Sequence, residues 1–119
     1  MSAIGSNPIR RITLIKGGLL MARSSRLESG FQDRLRDEIK DMFPGCYIFK
    51  MDQIQGIPDM LILYGNKWAF LENKKNVDAP HRPNQDYYVC LFDNMGFASF
   101  IYPENKDEVL EELYLYFTY

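Results

Sequence analysis

Gly56-Ile57-Pro58-Asp59-Met60-Leu61-Ile62-Leu63-Tyr64-Gly65-Asn66-Lys67-Trp68-Ala69-Phe70-Leu71-Glu72-Asn73-Lys74 sets two apolar runs on either side of Gly65-Asn66. Pro58 to Tyr64 and Lys67 to Lys74 read as strands, and Gly65-Asn66 tolerates the positive φ of a tight hairpin turn. A two-residue loop fixes the register. Tyr64 then opposes Lys67, and counting back pair by pair puts Asp59 opposite Glu72. Directly opposed Cβ atoms lie about 4.5–5.5 Å apart, where two like charges are destabilising unless something positive sits between them. A divalent cation meets that need, and oxygen-only donors suit Mg²⁺, with Mn²⁺ as a substitute. Lys74, two residues beyond Glu72, shares its face of the strand, where an ammonium holds an attacking water or neutralises charge on a scissile phosphate. Gly56 permits close backbone approach, and Pro58 fixes φ just before Asp59. The alternative for these residues is an ion-paired polar edge of the sheet.

Working outward, Leu27, Phe31, Leu35, Ile39 and Met42 form the apolar stripe of a helix that stops before Pro44-Gly45. Ser25 and Glu28 form a capping-box pattern at its start. Cys46 to Met51 reads as the first strand. Pro83 at a helix start and Gly96 at its end bracket Tyr88, Leu91, Phe92 and Met95, which predict a second helix presenting that face. Phe97 to Tyr102 reads as a fourth strand, closed by Pro103. After Asn105, Val109, Leu110, Leu113, Tyr116 and Phe117 predict a closing helix with Glu108, Glu111 and Glu112 toward solvent. The class is α/β, in the order αβββαβα.

Length and composition agree. The chain has 119 residues, 46% hydrophobic and 25% charged, which predicts one domain over residues 23–119, and its sixteen Tyr and Phe residues supply apolar area enough to fold. Residues 1–22 show little periodicity beyond Ile12 to Ile15 and read as an N-terminal arm or extension. No run of about 18 apolar residues occurs, so a spanning helix is excluded and a cytoplasmic location is expected. Cys46 and Cys90 sit in apolar stretches, as small hydrophobes, without disulfide or zinc spacing. The net charge of −2 hides an asymmetry: residues 1–40 carry eight basic and four acidic side chains, the remainder six basic and twelve acidic. A uniformly basic nucleic-acid protein is excluded; a local basic arm is not. No glycine-rich phosphate loop and no supported Cys/His nucleophile pair occurs, and no small-molecule cofactor is expected.

Gly56-Ile57-Pro58-Asp59, followed after twelve residues by Glu72-Asn73-Lys74, resembles the PD-(D/E)XK nuclease superfamily, and most nearly its small VRR-NUC and Holliday junction resolvase-like enzymes. The resemblance spans about residues 25 to 102 and implies the restriction-endonuclease-like αβββαβ core with a mixed four-stranded sheet, to which the closing helix is an addition. It implies metal-dependent phosphodiester hydrolysis on duplex or branched DNA, including junctions. Asp59, Glu72 and the backbone carbonyl of Asn73 would hold Mg²⁺, and Lys74 would position the water. The acidic residue of the first helix and the glutamine of the second match Glu28 and Gln85: Glu28 for a second metal or a metal-bound water, Gln85 to steady Lys74 or a phosphate. Lys75, His81, Arg82 and Arg26 are the candidate phosphate contacts. A homodimer is expected, since one centre cuts one strand. The small size resembles phage or bacterial examples. Asn73 departs from the apolar residue usual in the middle of the motif, and a buried amide without partners costs about 1–3 kcal/mol. The alternative function is a catalytically silent module of the same fold that binds nucleic acid or a protein partner.

Overall fold

A computed structural model describes residues 27–119, the side chains of 27–29 excepted. The proposed arm, Ser25 and Arg26 lie outside the described residues. The chain divides into two units, Met1–Pro44 and Gly45–Tyr119. In the first, helix α1 (Leu27–Met42) carries Phe31, Leu35 and Ile39 buried along one stripe, as the spacing predicts. Glu38 is buried beside them, which the stripe does not foretell.

The second unit holds strands β1 (Tyr47–Lys50), β2 (Met60–Tyr64) and β3 (Lys67–Asn73), helix α2 (Gln85–Met95), strand β4 (Ala98–Ile101) and helix α3 (Lys106–Thr118). The sheet order is β1-β2-β3-β4, with β1–β2 and β2–β3 antiparallel and β3–β4 parallel. The class is α/β with a mixed four-stranded sheet, and the element order is the αβββαβ core plus a C-terminal helix. The Gly65-Asn66 turn sets the register expected of it, Tyr64 opposite Lys67 and Met60 opposite Leu71, with Gly65 at φ 62°.

Period-two alternation assigns the two sheet faces. On one, Phe70 and Ala98 are buried under Val89 of α2, with Leu61, Trp68, Phe92 and Phe100 packed around them. On the other, Met60, Ile62, Ala69, Leu71 and Ile101 are buried, and α3 packs on β3 and β4 with Val109, Leu110, Leu113 and Phe117 inward. Tyr116 is partly buried, and its hydroxyl donates to the carbonyl of Trp68 at 2.9 Å.

Helix α2 differs from its sequence reading in two ways. Leu91 and Met95 of the expected face are exposed, because the inward stripe runs through 85, 89 and 92. Cys90 falls off that stripe and is exposed, and Cys46 is half-buried, so neither thiol is a core residue. The helix also begins at Gln85 instead of Pro83, behind a left-handed Asn84 at φ 71°. A loop distant in sequence lies against this helix start: a Cβ on Gly56 (φ 92°) would lie 2.6 Å from Asn84 Cβ and 2.9 Å from the Pro83 carbonyl oxygen. Only glycine lets the loop before β2 lie against the start of α2.

Candidate active site

Asp59 and Glu72 meet at the open end of the hairpin. Continuing the β2–β3 register by one pair sets them opposite each other, and the Asp59 backbone N–H donates to Glu72 Oε1 at 3.1 Å. Glu72 and its parallel neighbour Phe100 share a sheet face. Asp59 is itself held: Oδ1 accepts from the Asn73 backbone N–H at 3.3 Å and from Asn73 Nδ2 at 2.9 Å. Asn73, polar on a sheet face shared with Leu71 and Ile101, is thus buried as a local partner of Asp59. Its Oδ1 is buried with no hydrogen-bond partner among the described residues, one open acceptor beside the carboxylates.

Lys74 follows on the extension of β3, its N–H donating to the Ile101 carbonyl at 2.9 Å, and its side chain is buried. Nζ donates to Gln85 Oε1 at 2.7 Å and to the Pro80 carbonyl at 3.0 Å, and stands 4.0 Å from Glu72 Oε2. Gln85 closes the circuit. Its Nε2 donates to Glu72 Oε2 at 2.9 Å while its Oε1 also accepts the Arg82 backbone N–H at 2.8 Å. The amide is buried at the first position of α2, so one side chain fixes both the lysine and the carboxylate. An ammonium has three donors. Two of those on Lys74 are committed, which fixes the direction of the third.

Burial pushes the Glu72 carboxyl up to about 7, and the Asp59 charge adds to the rise against the pull of Lys74, the Asp59 N–H and Arg82. Burial raises Asp59 as well, opposed by the two Asn73 donors, Lys50 and Lys74. Unfolded, Glu72 titrates near 4.5, so the folded protein holds the extra proton; that stabilisation is complete below 4.5 and lost as the pH rises through about 7. Stability of the metal-free protein therefore falls across this window by on the order of 2–3 kcal/mol. Denaturant titration along the pH range checks it: Glu72→Gln flattens the slope, and an equally steep slope in the variant would contradict the assignment.

These residues suit a hard divalent cation. Asp59 Oδ2 accepts no hydrogen bond among the described residues, each Glu72 oxygen keeps a lone pair beyond the bond it accepts, and the pair lacks positive charge enough to keep Glu72 ionised. Among the described residues no group of three or more His, Cys, Asp or Glu side chains is placed to hold a metal. Two carboxylates plus a main-chain carbonyl is still the kind of set Mg²⁺ takes, with water filling the rest.

Asp59, Glu72, Asn73, Lys74 and Gln85 are thus brought together in one cluster. Arg82 lies near enough for its charge to act on Glu72. His81 Nδ1 pairs with Asp86 Oδ1 at 2.7 Å, and its ring stacks on Phe100 at 4.2 Å, on the sheet face of Glu72. Lys75 is exposed and takes no part in the circuit. Glu28 falls in the first turn of α1, but its side chain lies outside the described residues. Lys50, at the end of β1, is a residue that motif reading misses: it belongs to no signature, yet its charge reaches Asp59. The one clue available is the hairpin arithmetic extended to β1, where the Met51 N–H donates to the Asp59 carbonyl at 2.8 Å. Comparison with family models, curated proteins and solved structures found no match.

Proposed function

We propose that the chain is a Mg²⁺-dependent endodeoxyribonuclease of the PD-(D/E)XK type, hydrolysing phosphodiester bonds in duplex or branched DNA. The observation that carries this reading is the Gln85 bridge, which holds a buried lysine 4.0 Å from a buried carboxylate that itself faces a second carboxylate. A pure binding surface for phosphate gains nothing from two facing carboxylates, which repel it. Bound by Asp59, Glu72 and the Asn73 carbonyl, Mg²⁺ would supply the positive charge that draws in and polarises the scissile phosphate. The remaining donor of Lys74 holds the attacking water or a phosphate oxygen, and Gln85 keeps that donor aimed. Lys50, Arg82 and His81 supply flanking positive or hydrogen-bonding contacts for the backbone. The described residues offer one such centre, so severing two strands calls for two copies, most simply a dyad dimer. The membrane plays no part in this reading: among the described residues no helix is long and apolar enough to cross one. The DNA it meets is that of the cytoplasm, in a bacterial or phage-infected cell.

The test is cleavage of supercoiled plasmid, linear duplex and a synthetic four-way junction, each with Mg²⁺, Mn²⁺ or EDTA. Cutting with either metal and none in EDTA is expected, and the preferred substrate reports whether branches are favoured. Folded protein that cuts none of the three with either metal would overturn the reading in favour of binding without cleavage.

A further inference from the structure

We propose that Tyr47 and Phe49 form a stacking ledge for the bases of a single DNA strand whose backbone runs on into the Asp59–Glu72–Lys74 site. The identity of that site rests on the nuclease reading above; the ledge itself rests on separate observations.

The first is which face the rings occupy. Across the sheet, Tyr47 pairs with Leu63 and Leu63 with Trp68; Phe49 pairs with Leu61, Leu61 with Phe70 and Phe70 with Ala98. One row further, the Met51 N–H meets the Asp59 carbonyl, Asp59 meets Glu72, and Glu72 pairs with Phe100. Cross-strand partners share a face, so the two rings lie on the face that carries both carboxylates. Phe49 is one strand and two residues from Asp59, within about 10 Å at ordinary strand spacings.

The second is exposure. Phe70 and Ala98, in the same row as Phe49, are buried under α2, whereas Phe49 is 46% exposed, Tyr47 66% and Leu63 37%. β1 is the sheet's edge, paired among the described residues only with β2. A contiguous apolar face left open beside a reactive site marks a contact surface.

The third is the geometry of the rings. Their planes are within 14° of parallel and their centroids are 6.5 Å apart, roughly twice the ~3.4 Å repeat of stacked bases. Parallel rings beside positive charge are how proteins hold unpaired strands, since every base offers a π face. The charge on this face is at the site itself, where Lys74 Nζ stands 4.0 Å from Glu72 Oε2. Duplex DNA keeps its base faces stacked on one another, so the ledge selects frayed, flapped or single-stranded regions. A second copy of the chain would cover the same rings through apolar contact alone, with no use for a face that runs on from the rings to the charged site.

The experiment is fluorescence anisotropy of a labelled oligothymidylate and of a blunt duplex of equal length, both in EDTA so that nothing is cut. Wild type should bind the single strand more tightly. The double substitution Tyr47→Ala, Phe49→Ala should weaken single-strand binding roughly tenfold or more, leave duplex binding unchanged and leave Tm unchanged. Tyr47→Phe with Phe49→Tyr should restore the single-strand affinity. The ledge is overturned if wild type shows no preference for the single strand, or if the double variant binds it as wild type does. An equal loss for both DNA forms, or a variant that turns a dimer into a monomer with single-strand affinity intact, overturns it too. Failure of the nuclease reading is a different result: no cutting with metal by a protein whose single-strand binding still depends on the rings.

Discussion

On the proposed nuclease reading, Lys74→Ala is expected to lower DNA cleavage by about 10²–10³-fold, the usual cost of removing one donor aimed at charge developing in a transition state. The side chain is buried and its Nζ donates to Gln85 and to the Pro80 carbonyl, so its removal takes a cation from beside Glu72. Gln85 Oε1 keeps the Arg82 N–H, so the first turn of α2 retains one of its anchors. Activity should therefore fall much further than stability. Single-turnover cleavage with saturating metal, set beside Tm for both proteins, separates the two; cutting at the wild-type rate would remove Lys74 from the chemistry.

Gly56→Ala is expected to cost about 2–5 kcal/mol of stability, the sum of a left-handed conformation forced on a residue with Cβ and of overpacking. The new methyl would meet backbone as well as side chain, at 2.6 Å from Asn84 Cβ and 2.9 Å from both Asn84 C and the Pro83 carbonyl oxygen. Backbone yields less readily than the end of a flexible side chain. Whatever relief the loop finds must displace the residue just before Gln85, so metal-dependent cleavage should weaken in any protein that remains folded. Urea titration reads the first effect, and a loss under about 0.5 kcal/mol would show that the loop moves aside without strain.

What the sequence discloses is the hairpin and, through it, the pairing of Asp59 with Glu72. A two-residue turn leaves no freedom of register, so a local signal carries a contact thirteen residues long. Asn73 was legible in part, because a buried amide demands a local partner, and Asp59 is that partner. The α2 face was legible only in part. A stripe through 88, 91, 92 and 95 and one through Gln85, Val89 and Phe92 both fit helical spacing, and only the sheet beneath decides between them. The late start of α2 behind Asn84 was not legible, nor was the close approach of Gly56 to it across a gap in sequence that no propensity records. Tyr47 and Phe49 read simply as strand residues, since exposure depends on how far α2 reaches across the sheet. Lys50 went unnoticed for a related reason: charge near a site is a matter of distance, and β1 carries no motif.

The most direct measurement is a calorimetric titration with Mn²⁺, well above the pH of about 7 at which Glu72 titrates, for wild type and for Asp59→Ala. Binding by wild type and its loss in the variant is the result predicted for a cation shared between Asp59 and Glu72. Equal binding by both proteins would contradict it, placing any metal elsewhere in the chain.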